Sequence, residues 1–137
     1  MNRPGVLLDT GPIVALLSAD DVNHKRAMSV FGGTAPPFRC CEAVLAEACF
    51  MMRKVHPAGP AEVLALGRKG VYEIGLSLTE QSAAVEALLR KYADRPVSLA
   101  DACLIRCAEL HDEPRVFSFD ADFRVYRWER NRRFELL

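Results

Sequence analysis

Four acidic residues lie in or directly after mostly apolar stretches of the sequence, where a solvated carboxylate is not expected. Asp9 ends the aliphatic run VLLD, and Asp120 follows the predicted strand RVFSF. Glu47 lies in AVLAEACFMM and Asp101 lies in LADACLI, so each is predicted to point from a helix toward an apolar layer. A buried charge without a partner costs several kcal/mol. Glu47 and Asp101 therefore each need a partner, such as a counter-charge.

The basic residues do not obviously supply that counter-charge, because they are grouped elsewhere in the sequence. The groups are Arg53–Lys54, Arg68–Lys69, Arg90–Lys91 and the C-terminal stretch RVYRWERNRRF. Mg²⁺ or Mn²⁺ would resolve the conflict, since these hard cations take oxygen ligands. Such ions activate water and stabilise the leaving oxygen in phosphodiester cleavage. A structural alternative stays open for Asp101, because a carboxylate also favours a helix N-terminus capped by Ser98.

Short aliphatic stretches alternate with helical ones along the chain, and this alternation predicts the fold. The predicted strands are GVLLD, PPFRC, VYEIGL, RVFSF and RFELL. The pattern is typical of a three-layer α/β/α domain with a mostly parallel, roughly five-stranded sheet. Such sheets bind ligands at the carboxyl ends of their strands. Asp9 and Asp120 should therefore lie at the same edge of the sheet.

Length and charge narrow the class of protein. The chain of 137 residues favours a single domain over residues 1–137. Its 18 acidic and 18 basic residues cancel, which excludes a long-range basic field for nucleic acid but not a local patch. No apolar run reaches the roughly 18 residues of a membrane span, and MNRPG is unlike a signal peptide. We expect a cytoplasmic protein without a membrane partner.

The five cysteines are interpreted as reduced core thiols, because their number is odd and most have apolar neighbours. An alternative rests on Cys103, Cys107 and His111, which share one helical stripe and could bind a soft metal.

The four acids lie in four segments, which follow one another in the order VLLDTGPIVALLS, EAVLAEACFMM, SLADACLIRCAE and VFSFDADFRVYR. Together these segments resemble the signature segments of the PIN domain family, and above all its VapC-type toxin ribonucleases. The resemblance runs from Val6 to Tyr126. It implies a PIN-like fold and a Mg²⁺- or Mn²⁺-dependent ribonuclease, expected to be an endoribonuclease and the toxin of a type II toxin–antitoxin pair.

The resemblance also assigns roles to residues. It implies that the catalytic and metal-binding residues are Asp9, Glu47, Asp101 and Asp120. Thr10 and Ser118 match polar positions that support the site, and Asp122 is a further, weaker candidate.

Partners are predicted with alternatives. The C-terminal stretch carries Arg130, Arg132 and Arg133 with Tyr126 and Trp128 between basic residues, a mixture that suits single-stranded RNA. The same residue types also suit a protein interface. The resemblance implies an RNA substrate, a homodimer and a small antitoxin protein. The rival function is a PIN-like RNA- or protein-binding module without catalysis.

Overall fold

The computed structural model describes residues 3–137 and contains a parallel five-stranded sheet flanked by helices. Its strands lie in the order β3-β2-β1-β4-β7. They are β1 (Leu7–Leu8), β2 (Phe38–Cys40), β3 (Tyr72–Ile74), β4 (Arg115–Phe117) and β7 (Glu135–Leu136). All neighbouring strands of this sheet pair in parallel. The predicted α/β class with a mostly parallel, five-stranded sheet is confirmed.

The central strand is short and wholly apolar because both of its faces are covered. Leu7 and Leu8 of β1 are fully buried, as are Val116 and Phe117 of β4. The two strands pair in register, with Leu7 opposite Val116 and Leu8 opposite Phe117. The chain runs outward from β1 through β2 to β3, then returns to place β4 on the other side of β1. The order of strands therefore reverses between β1 and β4.

Six α-helices connect the strands within the described residues. They are α1 (Thr10–Leu17), α2 (His24–Gly33), α3 (Glu42–Val55), α4 (Gly59–Arg68), α5 (Leu78–Lys91) and α6 (Leu99–His111). Helix α6 begins with a complete capping box, in which Ser98 and Asp101 each accept a backbone N–H from the other. None of the described helices combines the length and apolar character that crossing a membrane requires.

The C-terminal segment forms several short elements, whereas the sequence predicted a single strand, RFELL. A 3₁₀ turn over Ala121–Arg124 leads into an antiparallel hairpin of β5 (Arg127–Trp128) and β6 (Arg132–Arg133), and β7 then joins the main sheet. Positive φ angles at Glu129 and Asn131 turn the chain within this hairpin.

The cysteines are free thiols, as predicted, and all except the half-buried Cys49 are buried. The soft-metal alternative receives no support. The His111 ring is hydrogen-bonded to the carbonyl oxygen of Gly75 at 2.6 Å. Within residues 3–137, no three His, Cys, Asp or Glu side chains form a ready metal-binding group.

Candidate active site

The site begins at the point where the order of strands reverses, between β1 and β4. Parallel α/β sheets form a crevice at such a switch point, outside the carboxyl ends of the strands. Asp9 directly follows β1, and its backbone N–H donates to the carbonyl of Phe117 at 3.0 Å. Ser118 directly follows β4, and its hydroxyl donates to Asp9 Oδ2 at 2.6 Å. The fold thus holds a buried carboxylate in the crevice.

Asp101 enters the same crevice from the first turn of α6. Its Oδ2 accepts the backbone N–H of Ser98 at 3.3 Å and the phenol of Tyr126 at 3.0 Å. The residue is only 7% exposed. Asp101 therefore stabilises the helix start, as the structural alternative proposed, and also lines the cleft. The two roles do not exclude each other.

Glu47 lies on α3 at the open side of the cleft, and its predicted burial is wrong. The residue is exposed, and so are its apolar neighbours Phe50 and Met51. The buried stripe of α3 is Val44, Ala48 and Met52, which is offset around the helix from Glu47. The carboxylate still reaches the site, because Oε2 accepts the hydroxyl of Thr10 at 3.0 Å.

Asp120 is also exposed at the mouth of the cleft. Its backbone N–H donates to the Ser118 hydroxyl at 2.9 Å, and its Oδ1 accepts the backbone N–H of Asp122 at 2.9 Å. Asp122 itself pairs with Arg95 at 3.1 Å and does not line this cleft. The structure therefore gives Asp122 a charge partner outside the group of four acids.

The four predicted acids line one cleft of about 330 Å³. The remaining lining residues are Thr10, Gly11, Met51, Pro96, Ser98 and Phe119, so no basic side chain of residues 3–137 faces it. No ion pair in the described chain involves any of the four acids. The cleft is thus acidic and lacks an internal counter-charge.

Burial dominates the electrostatics of Asp9. It raises the pKa of the Asp9 carboxyl from 3.8 to about 6, although hydrogen bonds from Ser118 and Thr10 oppose the shift. The charges of Asp101 and Asp120 raise this pKa further. The pKa of Asp101 is raised as well, mainly by burial, against its hydrogen bonds with Ser98 and Tyr126. Both raised pKa values mean that ionising these carboxyls in the cleft costs free energy. A bound cation would reduce that cost.

The donor set fits a hard divalent cation by its chemistry. Asp101, Asp120 and Glu47 each have one carboxylate oxygen that no donor in the described chain contacts. All available ligands are oxygens, which suits Mg²⁺ or Mn²⁺ better than a thiolate-preferring metal. The four acids line the cleft without meeting at one point, since no three of them form a ready metal-binding group among the described residues.

The predicted RNA-binding arginines do not lie at this cleft. Arg132 contacts Asp112 at 2.8 Å and stacks over the Trp128 ring at 3.9 Å. Asp112 caps the end of α6 opposite Asp101, about 16 Å along the helix at 1.5 Å per residue. Arg130 and Arg133 belong to the same hairpin region. Arg132 is therefore remote from the four acids, and neither Arg130 nor Arg133 lines their cleft.

The predicted stacking of bases on Tyr126 and Trp128 is wrong, because both side chains are fully buried. Tyr126 instead contacts Asp101, a supporting role that the sequence analysis missed. Its ring packs edge-on against Phe123 and Tyr92 at 5.3 and 5.0 Å between centroids. In the sequence, only the nearby basic residues Arg124 and Arg127 draw attention to Tyr126, and basic neighbours suggest a position on the surface.

The fold and the family model define the class of protein. A model described as the PIN domain matches residues 6–129, so the chain belongs to the PIN domain family. The predicted family is therefore confirmed, and the predicted ribonuclease class is the one that this membership supports.

A solved structure shares this fold. It is Mycobacterium tuberculosis VapC20, a toxin that cleaves the sarcin–ricin loop. The TM-score is 0.74 at 22% sequence identity, and the match covers 86% of this chain and 92% of that chain. No curated protein sequence is significantly similar to this one.

Proposed function

We propose that this protein is a Mg²⁺- or Mn²⁺-dependent endoribonuclease whose site consists of Asp9, Glu47, Asp101 and Asp120. The observation that carries the proposal is that Asp9 and Asp101 line one cleft, which no basic side chain of the described residues lines. Each of the two carboxylates is less than a tenth exposed. Like charges held in a low-dielectric cleft are costly, so a site of this kind is suited to a cation.

The position of each acid in the cleft indicates how it would hold the ion. Asp9 and Asp101 would hold the ion from the closed side, and Glu47 and Asp120 would complete the ligand set from the open side. A bound divalent ion supplies Lewis acidity to water and to the leaving oxygen of a phosphodiester. Ser118 and Tyr126 hold Asp9 and Asp101 in fixed orientations by hydrogen bonds at 2.6 and 3.0 Å.

The open shape of the cleft supports cleavage within an RNA chain rather than only at its ends. The acids lie at the carboxyl edge of the sheet, and Glu47 and Asp120 are exposed at the mouth. The RNA segments on both sides of the scissile bond could therefore extend out of the cleft.

The toxin assignment rests on the fold shared with VapC20. We propose that the chain is the toxin of a type II toxin–antitoxin pair and acts in the cytoplasm as a homodimer. A small antitoxin protein would be its second partner. Co-expression with the protein encoded beside its gene, followed by size-exclusion chromatography, would test this assignment.

The activity is tested by incubating the purified protein with a mixed RNA substrate and adding Mg²⁺, Mn²⁺ or EDTA. We expect cleavage with either metal, none with EDTA, and loss of cleavage in Asp9→Asn and Asp101→Asn. Fragment sequencing should show internal cuts. Full activity in EDTA would overturn the metal mechanism. RNA binding without any cleavage, under all these conditions, would favour the rival binding module.

A further inference from the structure

A second cleft adjoins the acidic one and has a different character. It has a volume of about 320 Å³, and Phe119 and Asp120 line both clefts. Arg26 from α2 and Arg124 from the 3₁₀ turn line only the second cleft. The two clefts therefore adjoin at Phe119 and Asp120, which form a wall that both share. Four acidic residues line one cleft, and two arginines line the other.

The two arginines have no partner within the described chain. Neither side chain of Arg26 and Arg124 takes part in an ion pair, a side-chain hydrogen bond or a ring contact. Other arginines nearby are engaged, since Arg95 pairs with Asp122 and the Arg127 guanidinium donates to backbone carbonyls. Two exposed guanidinium groups thus remain available for an anion beside the site.

The shared wall is held in a fixed position. The Phe119 ring packs edge-on against Phe117 with centroids 5.4 Å apart. On its other side it lies against Gly11, where an added Cβ would come within 3.3 Å of Phe119 Cδ2. Glycine at this position therefore lets the ring lie close to the start of α1. A half-buried aromatic ring in such a place offers a surface to a ribose or a base.

Electrostatics show why a polyanion needs this second cleft. Among the described residues none that lines the acidic cleft is basic, and the whole chain has no net charge to attract RNA from a distance. An RNA strand therefore needs cations immediately beside the acids. Arg132 of the C-terminal hairpin contacts Asp112 at the far end of α6, whereas Arg26 and Arg124 line the second cleft together with Asp120.

We propose that Arg26 and Arg124 bind a backbone phosphate of the RNA strand next to the phosphate that is cleaved, with the intervening nucleotide against Phe119. This inference rests on the proposed ribonuclease function and gives it a substrate subsite. Guanidinium groups suit the geometry of phosphate oxygens. The strand would then cross Phe119 from the basic cleft into the acidic one.

Binding of a fluorescein-labelled oligouridylate to the Asp101→Asn protein in Mg²⁺ tests the subsite without cleavage. Adding Arg26→Gln and Arg124→Gln should weaken binding by about tenfold or more at low salt. The slope of log affinity against log salt should fall by about 0.7 or more, the value for one phosphate contact on a single strand. Lysine at both positions should retain most of that slope.

A matched control removes two other exposed, unpaired arginines, Arg53 and Arg68, in the same background. Its affinity and salt slope should stay close to those of the parent. Equal losses in this control and in the Arg26/Arg124 variant would overturn the subsite, because net charge alone would then explain both. Unchanged binding in the Arg26/Arg124 variant would also overturn it, as would an equal or larger loss on changing Arg130 and Arg133.

The failure of the subsite can be distinguished from the failure of the ribonuclease proposal. Cleavage is measured on the chain with all four acids intact, and binding is measured on the Asp101→Asn chain. Cleavage together with unchanged binding in the Arg26/Arg124 variant rejects the subsite alone. A selective loss of binding in a chain that never cleaves RNA rejects the nuclease and supports the phosphate contact.

Discussion

The Ser118 hydroxyl lies 2.6 Å from Oδ2 of Asp9 and joins the ends of the two neighbouring strands β1 and β4. The same hydroxyl accepts the backbone N–H of Asp120 at 2.9 Å. One buried side chain therefore connects an acid at the bottom of the cleft with the backbone of an acid at its mouth. This link depends on the parallel register of the strands, since Ser118 follows β4 as Asp9 follows β1.

Replacing Ser118 with Ala should lower both activity and stability. The change removes the donor to Asp9, so the carboxylate loses a hydrogen bond in a buried place. We expect the free energy of unfolding to fall by about 1–3 kcal/mol. Cleavage at saturating Mg²⁺ should fall by about tenfold to a hundredfold, as is typical when the group that orients a ligand is lost. Urea unfolding and initial cleavage rates measure the two effects.

Ser82→Ala is the control for this variant, because Ser82 is an exposed helical serine whose hydroxyl donates only to backbone carbonyls. It should leave the cleavage rate unchanged. Wild-type cleavage in Ser118→Ala would show that Asp9 does not need its hydroxyl donor.

Tyr126→Phe should change the metal requirement of the enzyme. It removes the phenol that donates to Asp101 at 3.0 Å, while the buried ring and its packing remain. Asp101 then keeps only the backbone N–H of Ser98. We expect the Mg²⁺ concentration for half-maximal cleavage to rise by about tenfold.

Tyr72→Phe separates this effect from a general loss of stability. Tyr72 is also buried, and its hydroxyl donates to the carbonyl of Val63 at 2.9 Å, away from the acids. Both variants should lose about 1 kcal/mol of stability, but only Tyr126→Phe should shift the Mg²⁺ titration. Identical titrations for the two variants would remove Tyr126 from the support of the site.

The sequence predicted the parts of the site that depend on local signals. Asp9 follows a short aliphatic strand, and Asp101 occupies the third position of a helix capped by Ser98, so the sequence alone predicts the position of both. The side chain of Glu47 was placed on the wrong side of α3, because Phe50 and Met51 resemble core residues and are exposed.

The sequence does not predict the contacts between segments that are far apart in the chain. Tyr126 lies 25 positions from Asp101, and their hydrogen bond depends on how the 3₁₀ turn and the hairpin fold back onto α6. The basic cleft similarly combines Arg26 from α2 with Arg124, which no periodic pattern relates. A single sequence reports periodicity and local caps, but these pairings arise from tertiary packing.

The contribution of Asp9 to the stability of the metal-free protein should decrease as the pH rises from about 4 to about 6. The pKa of Asp9 is raised to about 6 in the folded state from 3.8, so the folded state binds this proton more tightly than the unfolded state. The stabilisation is therefore complete below about pH 4 and is lost as the pH passes 6. The shift corresponds to about 3 kcal/mol.

Urea unfolding in EDTA at several pH values measures this dependence. Asp9→Asn is the reference, because the amide does not titrate and is still a favourable helix cap. The free energy of unfolding of the wild type, minus that of Asp9→Asn, should fall between pH 4 and 6 and stay constant above pH 6. A difference that is independent of pH would contradict the raised pKa.

Mg²⁺ should raise the melting temperature of the wild-type protein, and Glu47→Gln should reduce that rise. A ligand stabilises the fold according to its concentration relative to its dissociation constant. If the loss of one carboxylate weakens binding by about tenfold, saturating Mg²⁺ stabilises the fold by about 1.4 kcal/mol less. For a domain of this size, the melting temperature with Mg²⁺ would then be about 4 °C lower. Differential scanning fluorimetry with and without the ion measures the change.

Glu42→Gln provides the matched control, because Glu42 is another exposed glutamate on α3 but does not line the acidic cleft. Each variant is compared with its own metal-free melting temperature, so any effect on the helix itself cancels. Glu42→Gln should therefore keep the full Mg²⁺ shift, whereas Glu47→Gln should lose part of it. Equal shifts in the two variants would show that Glu47 is no ligand and that the ion is held by the three aspartates alone. Exposure of Glu47 at the mouth of the cleft makes this distinction measurable, since its replacement leaves the buried packing of α3 intact.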